Sequence, residues 1–157
     1  MRWNQGRAQI DRLIADGELQ RVPPNREHAD QLFVQARKDL ASAELLADAN
    51  PKRAYESLYD ATRMALTAVL ENEGLRPTSR GGHTAPYAAV SAQLDPPMGQ
   101  VLRPFDRMRR TRNRSEYPSF TTPEVTPNNV RADLAVASSI VEVCEGVLDE
   151  MSPYYRG

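Results

Sequence analysis

The sequence predicts an all-α protein, with four or five helices in a bundle and one helical segment appended at the N-terminus. Proline and glycine divide the chain into segments, and within each segment apolar residues recur at spacings of three and four. No alternating run of β-branched residues is long enough to indicate a strand. With 157 residues, 40% of them hydrophobic, and a net charge of −1, the composition is that of a folded domain with its own core.

The first predicted helix runs from about Trp3 to Ala15 and has one short apolar side. Its apolar residues are Ile10, Leu13 and Ile14. Two consecutive prolines, Pro23 and Pro24, then form a stiff linker that no helix crosses. Residues 1–24 are therefore predicted to be a helix and linker ahead of the bundle of residues 25–157. We expect this helix to pack on its own bundle, and the alternative is docking on a partner.

Two long helices with a minimal connection are predicted next. The first begins after Asn25, whose side chain suits a helix N-cap, and continues to about Ala49. Asn50 and Pro51 interrupt it, and Pro51 opens the following helix at its first turn, where the missing N–H costs nothing. Gly74 ends that second helix. Helices joined so closely pack antiparallel, so the pair is predicted to form a helical hairpin.

Three further helices complete the predicted bundle. One is expected from His83 to Leu94, and another from about Met98 to Ser115, within which Pro104 marks either a kink or the true start. After a proline-containing loop at 118–127, the last helix runs from Pro127 to about Glu150. Its first apolar seam consists of Val130, Leu134, Ala137, Val141, Cys144 and Leu148. A second apolar stripe lies beside this seam, which predicts a central position in the bundle or a dimer contact.

The residue counts exclude several kinds of site. A single cysteine, Cys144, rules out intramolecular disulfides and a cysteine-rich zinc site, and its place on an apolar seam predicts a core residue. Two histidines, His28 and His83, are too few for a three-histidine metal site. No apolar run approaches the roughly 18 residues of a membrane span, and the first residues lack the apolar stretch of a signal peptide. We therefore expect a cytoplasmic protein without membrane contact, metal or other cofactor.

The densest group of charges lies at residues 103–114, which hold six arginines and one acid, Asp106. On a helix, Arg112 falls on the same side as the apolar Phe105 and Met108, where an arginine is costly unless it is paired or lines a cleft. An adjacent line along the helix consists of Arg109, Asn113 and Tyr117. The arginines expected to point outward are Arg103, Arg107, Arg110 and Arg114.

Two interpretations of this arginine-rich segment are open. In the first, it is a solvated helix face, and Arg112 is bridged to an acid such as Asp39 or Glu44. In the second, the outer arginines contact the phosphates of a nucleic acid and Arg112 lies in a cleft. Removing Arg112 would lower stability in the first case, and would weaken a salt-dependent interaction in the second.

The run Arg112-Asn113-Arg114-Ser115-Glu116-Tyr117 resembles the motif of HEPN domains (higher eukaryotes and prokaryotes nucleotide-binding), in which an arginine and a polar residue precede a histidine on a late helix. The upstream segment ARKDLASAELLADANPKRAYESLYDATRMALTAVLENEG resembles the first helical hairpin of that family. The resemblance covers about residues 28–150. It implies an all-α, four- to five-helix HEPN-like bundle.

The resemblance also implies site residues. In active family members, the arginine and histidine of two protomers face each other across a dimer and act as a metal-independent endoribonuclease. The arginine stabilises charge on the scissile phosphate, and the histidine transfers protons. The catalytic positions carried onto this chain are Arg112, Asn113 and Tyr117, of which Tyr117 replaces the histidine with a phenol that is a poor proton shuttle near pH 7. The neighbouring arginines that would contact nucleic acid are Arg109, Arg110 and Arg114.

We therefore expect a HEPN-type module of a prokaryotic toxin–antitoxin or defence system, itself a homodimer. It is expected to bind RNA or a nucleotide, or to pair with a nucleotidyltransferase-like antitoxin. The alternative within the same family is an active metal-independent endoribonuclease toxin that uses Arg112 at the dimer cleft. A helical bundle unrelated to this family is the third interpretation.

Overall fold

A computed structural model describes residues 4–82, 84–116 and 123–154 of the chain. Over these ranges the elements in order are α1 (Arg7–Ala15), β1 (Leu19–Arg21), α2 (Arg26–Leu46), α3 (Pro51–Glu73), β2 (Leu75–Pro77), α4 (Thr84–Leu94), α5 (Gly99–Leu102), α6 (Pro104–Glu116), α7 (Pro127–Gly146) and a short 3₁₀ turn (Leu148–Glu150). The predicted all-α bundle is confirmed. Within the described ranges, no helix is both long and apolar enough to cross a membrane.

Helices α2 and α3 form the predicted hairpin, which is the largest helix–helix contact of the bundle. The Asn25 side chain accepts a hydrogen bond from the His28 backbone N–H, and Asn50 caps α3 in the same way. Helix α2 ends at Leu46, three residues before the predicted boundary. Gly74 ends α3 with a φ of 86°, a left-handed conformation that glycine adopts without steric cost.

The N-terminal segment packs on its own bundle. Helix α1 lies against α4, and Ile10, Leu13 and Leu19 are buried in the common core. The sequence indicated no strand, yet β1 and β2 pair antiparallel with Gln20 opposite Arg76. Each strand has only three residues, too few to show the alternation by which a strand is recognised. The pair ties the segment after α1 to the end of the α2–α3 hairpin.

The second half of the chain places a short arginine-rich helix on the hairpin. Pro104 begins α6 as a separate helix, which decides between the two predicted roles of that proline. A capping box begins α7: Thr126 accepts from the Asn129 backbone N–H, and the Asn129 side chain accepts from that of Thr126. Helix α7 packs on both α2 and α3, as its two apolar stripes predicted. Cys144 is a buried free thiol, and burial raises its pKa to about 12, so it is an inert core residue.

Candidate nucleic-acid interface

Helix α6 contacts the bundle through the apolar stripe that the sequence predicted. Phe105 and Met108 are fully buried on this side. The Phe105 ring stacks on Tyr59 of α3, with 5.5 Å between ring centroids, and on Tyr87 of α4 at 5.3 Å. The aromatic contacts on both sides fix the rotation of α6 about its axis, and thereby decide which arginines face inward and which face solvent.

Arg112 is the arginine that turns inward. Its guanidinium lies over the Tyr59 ring, 5.7 Å from the centroid, and its Nη1 donates to Glu116 Oε2 at 2.9 Å. Asp39 or Glu44 was the expected ion-pair partner of Arg112, and this expectation was wrong. Glu116, one turn further along the same helix, pairs with the guanidinium instead. The Nε atom of Arg112 is buried and has no hydrogen-bond partner among the described residues.

A group of mixed charges surrounds the inner side of Arg112. Asp60 of α3 lies among Arg63, Arg112 and two further acids, Asp39 and Glu56. Burial raises the pKa of the Asp60 carboxyl, while Arg63 and Arg112 oppose that rise. Burial also raises the pKa of the Tyr59 phenol. Arg112 therefore sits in a partly buried site between α3 and α6, in which acids outnumber arginines.

Arg107 points outward, as expected, and its side chain is about half exposed, but an acid of another helix holds it. Its Nη1 and Nη2 atoms donate to Oδ2 and Oδ1 of Asp133 on α7, at 3.0 and 2.8 Å. The buried Tyr55 hydroxyl donates to the same carboxylate at 2.7 Å. Burial raises the pKa of Asp133, but the hydrogen bonds from Arg107 and Tyr55 outweigh it and leave that pKa lowered. Arg107 thus anchors α6 to α7 and α3.

The other arginines of the segment differ in how strongly acids hold them. Arg103 pairs with Asp95 at 3.2 Å. Arg109 pairs with Asp106 at 2.9 Å and is only about a quarter exposed, whereas Arg110 reaches the same carboxylate at 3.7 Å. Arg109 is therefore neutralised by an acid of its own helix, whereas Arg110 makes only a long contact with that acid.

Arg114 has no acidic partner in the described part of the chain. Its Nη2 donates to Thr111 Oγ1 at 3.4 Å, a weak contact on its own helix. The residues Arg107, Arg110, Asn113 and Arg114 together line an open depression on the solvent side of α6. We call these four residues the outer basic face. Arg110 and Arg114 are its available cations, because Arg107 is bound to Asp133.

The structure separates the residues that the sequence grouped as one catalytic set. Arg112 turns towards the bundle, whereas Asn113 is exposed and lines the outer basic face with Arg110 and Arg114. Tyr117 lies outside the described residues. Of the predicted nucleic-acid contacts, Arg110 and Arg114 meet on one surface, and Arg109 is paired with Asp106. In the described ranges, no three His, Cys, Asp or Glu side chains are placed to hold a metal ion.

Sequence reasoning missed Asp133, which decides the role of Arg107. Its signal is present: Asp133 stands between Val130 and Ala137 at helical spacing, as an acid on a stripe that is otherwise buried. An acid in such a position needs a partner. The partner could not be chosen from the sequence, since six arginines precede it within one short segment.

No family model matches the chain, and neither a curated protein nor a solved structure does. The resemblance to HEPN domains consequently rests on the arginine–asparagine run of α6 and on the segment that forms the α2–α3 hairpin. The positions of the α6 arginines and their ion pairs do not depend on that resemblance.

Proposed function

We propose that the protein is a HEPN-type RNA-binding module of a prokaryotic toxin–antitoxin or defence system, and that its outer basic face holds the phosphates of single-stranded RNA. The observation that carries the proposal is the depression on α6, where Arg110 and Arg114 face solvent next to the Asn113 amide. Two guanidinium groups one turn apart can each donate paired N–H groups to a phosphate.

The ion pairs of the arginine-rich segment favour phosphate binding at this place over a purely solvated surface. Apart from Arg114, each arginine of the segment lies within 4 Å of an acid. Arg107 is also fixed by two hydrogen bonds to Asp133. Arg114 has none of these partners among the described residues, and Arg110 has only the long contact with Asp106. The free positive charge of α6 is therefore concentrated at Arg110 and Arg114, on a helix that its aromatic contacts hold in place.

Fluorescence anisotropy of a labelled single-stranded RNA of about 12 nucleotides tests the proposal. We expect the wild-type protein to bind, and Arg114→Ser to weaken binding about fivefold, the upper end of what one exposed charge pair contributes. The matched control is Arg12→Ser, which removes an exposed arginine from the last turn of α1. Absence of RNA binding by the wild type, or equal affinity of Arg114→Ser and Arg12→Ser, contradicts the proposal.

A second candidate function is a metal-independent endoribonuclease with Arg112 at a homodimer cleft. The observation that favours it is the buried Nε of Arg112, an N–H donor without an acceptor among the described residues, to which a phosphate oxygen could bind. Against it, the Glu116 ion pair must open first. RNA cleavage in the presence of a chelator that disappears in Arg112→Ala would support this function. An intact RNA with wild type, and cleavage gained in Tyr117→His, would support the binding module.

A further inference from the structure

A cleft of about 300 Å³ adjoins the outer basic face and shares Arg114 with it. The turn between α2 and α3 lines it through residues 49–52. Residues 123–125, just before α7, line it too, as do Arg114 and Ser115 at the end of α6. Arg114 therefore belongs both to the depression on α6 and to this cleft.

The lining of the cleft differs in chemistry from that of the depression. Its apolar residues are Ala49, Pro51, Pro123 and Val125. Its polar residues are Asn50, Lys52, Glu124, Arg114 and Ser115. This mixed lining offers both apolar surface and hydrogen-bonding groups to a small organic group, and the volume lies at the lower end of the range of such sites, roughly 300–1,000 Å³. The Glu124 carboxylate repels a phosphate and can accept hydrogen bonds from ring or amino N–H groups.

We infer that this cleft receives the unstacked base of a single-stranded RNA whose neighbouring phosphate lies on Arg114. The inference rests on the proposed RNA-binding function and adds a subsite to it. A phosphate on Arg110 and Arg114 places the attached nucleoside beside the cleft, because Arg114 belongs to both sites. Lys52, an exposed residue that lines the same cleft, is then available to a further phosphate of the strand. Only an unpaired base can enter, so the cleft selects single strands over duplexes.

The test compares two ligands of similar charge, a single-stranded oligouridine and inorganic polyphosphate, which has no bases. Ala49→Leu narrows the cleft without changing charge and without adding a ring on which a base could stack, at an exposed position after α2. Its matched control, Ala41→Leu, adds the same side chain at an exposed alanine within α2. We expect Ala49→Leu to weaken oligouridine binding about tenfold, a loss of about 1.4 kcal/mol. Polyphosphate binding should be unchanged, which also shows that the variant is folded.

Each other result has a distinct meaning. Unchanged oligouridine affinity in Ala49→Leu, or equal weakening of both ligands, overturns the base subsite while RNA binding by the outer basic face stands. A wild-type protein that binds neither ligand overturns the proposed function itself. Free uridine monophosphate is the third arm: affinity equal to that of the oligouridine would identify a free nucleotide as the ligand, and would contradict binding of a strand.

Discussion

Arg107 of α6 and Asp133 of α7 form a two-pronged ion pair, with N···O distances of 2.8 and 3.0 Å. The hydroxyl of Tyr55, on α3, donates to the same carboxylate. One acid thereby joins three helices. Because α6 carries the outer basic face, this ion pair holds Arg110 and Arg114 at a fixed place on the bundle, and its removal affects the fold before it affects any ligand.

Asp133→Asn should therefore lower the free energy of unfolding. The amide is uncharged and has one acceptor oxygen instead of two, so the ion pair with Arg107 is lost and its NH2 group faces a donor of Tyr55 or Arg107, at a cost of about 1–3 kcal/mol. Urea unfolding monitored by circular dichroism measures the change. The control is Asp48→Asn, which opens the exposed ion pair with Arg131 and should change stability by no more than about 0.5 kcal/mol. Equal stability of both variants would show that the Arg107–Asp133 pair does not anchor α6.

Glu73, at the end of α3, makes stability depend on pH. It is 2% exposed, and burial raises the pKa of its carboxyl from 4.5 to about 8, against a smaller opposing effect of the hydrogen bond from Gln93. Between pH 4.5 and about 8 the folded state therefore holds a proton that the unfolded chain has already released. Its contribution to stability is full below pH 4.5 and is lost as the pH rises through about 8.

Glu73→Gln should remove this dependence. Relative to the wild type, the variant should gain stability with rising pH, by up to about 1.4 kcal/mol for each pH unit in that window. Urea unfolding of both proteins at several pH values between 4.5 and 9 measures the difference. The control Glu142→Gln changes an exposed glutamate of α7. If the free energies of unfolding of the wild type and the variant differ by the same amount at all these pH values, Glu73 is ionised in the folded protein.

Substitutions of Arg112 and Arg114 should affect different quantities: the first should lower stability, and the second should weaken RNA binding. Arg112→Ala loses the contact with the Tyr59 ring and the ion pair with Glu116, so the unfolding free energy should fall by about 1–2 kcal/mol. Arg114→Ala should change stability by less than about 0.5 kcal/mol and weaken RNA binding. Thermal unfolding and anisotropy on the same two preparations give both quantities. Loss of RNA affinity in a fully stable Arg112→Ala protein would place the phosphate site at Arg112 instead.

The helices were predictable because their signals are local. Asn25, Asn50 and Gly74 cap helices through their own neighbours in the chain, and Pro51 opens a helix through its fixed φ. Strands β1 and β2 were not predictable, since 53 residues separate Arg21 from Leu75, and neither strand is long enough to show a pattern. Their pairing follows from the tertiary packing of α1 against α4.

The candidate site was predictable only in part, for a similar reason. Helical spacing correctly placed Arg112 on the buried side of α6 with Phe105 and Met108. Spacing shows which residues share a side, but it does not show which acids come from other helices. The pairing of Arg107 with Asp133 therefore had to come from the structure, and with it the conclusion that Arg110 and Arg114 are the available cations.

The salt dependence of RNA binding tests the central claim most directly. Anisotropy titrations of the wild type, Arg110→Ser/Arg114→Ser and Arg12→Ser across a range of salt concentrations give the slope of log K against log salt for each protein. Each phosphate contact with a single strand contributes about 0.7 to that slope, so the double variant should bind more weakly, with a slope smaller by about 1.4. The Arg12→Ser slope should equal that of the wild type. A double variant with the wild-type slope and affinity would contradict the claim that the outer basic face binds RNA.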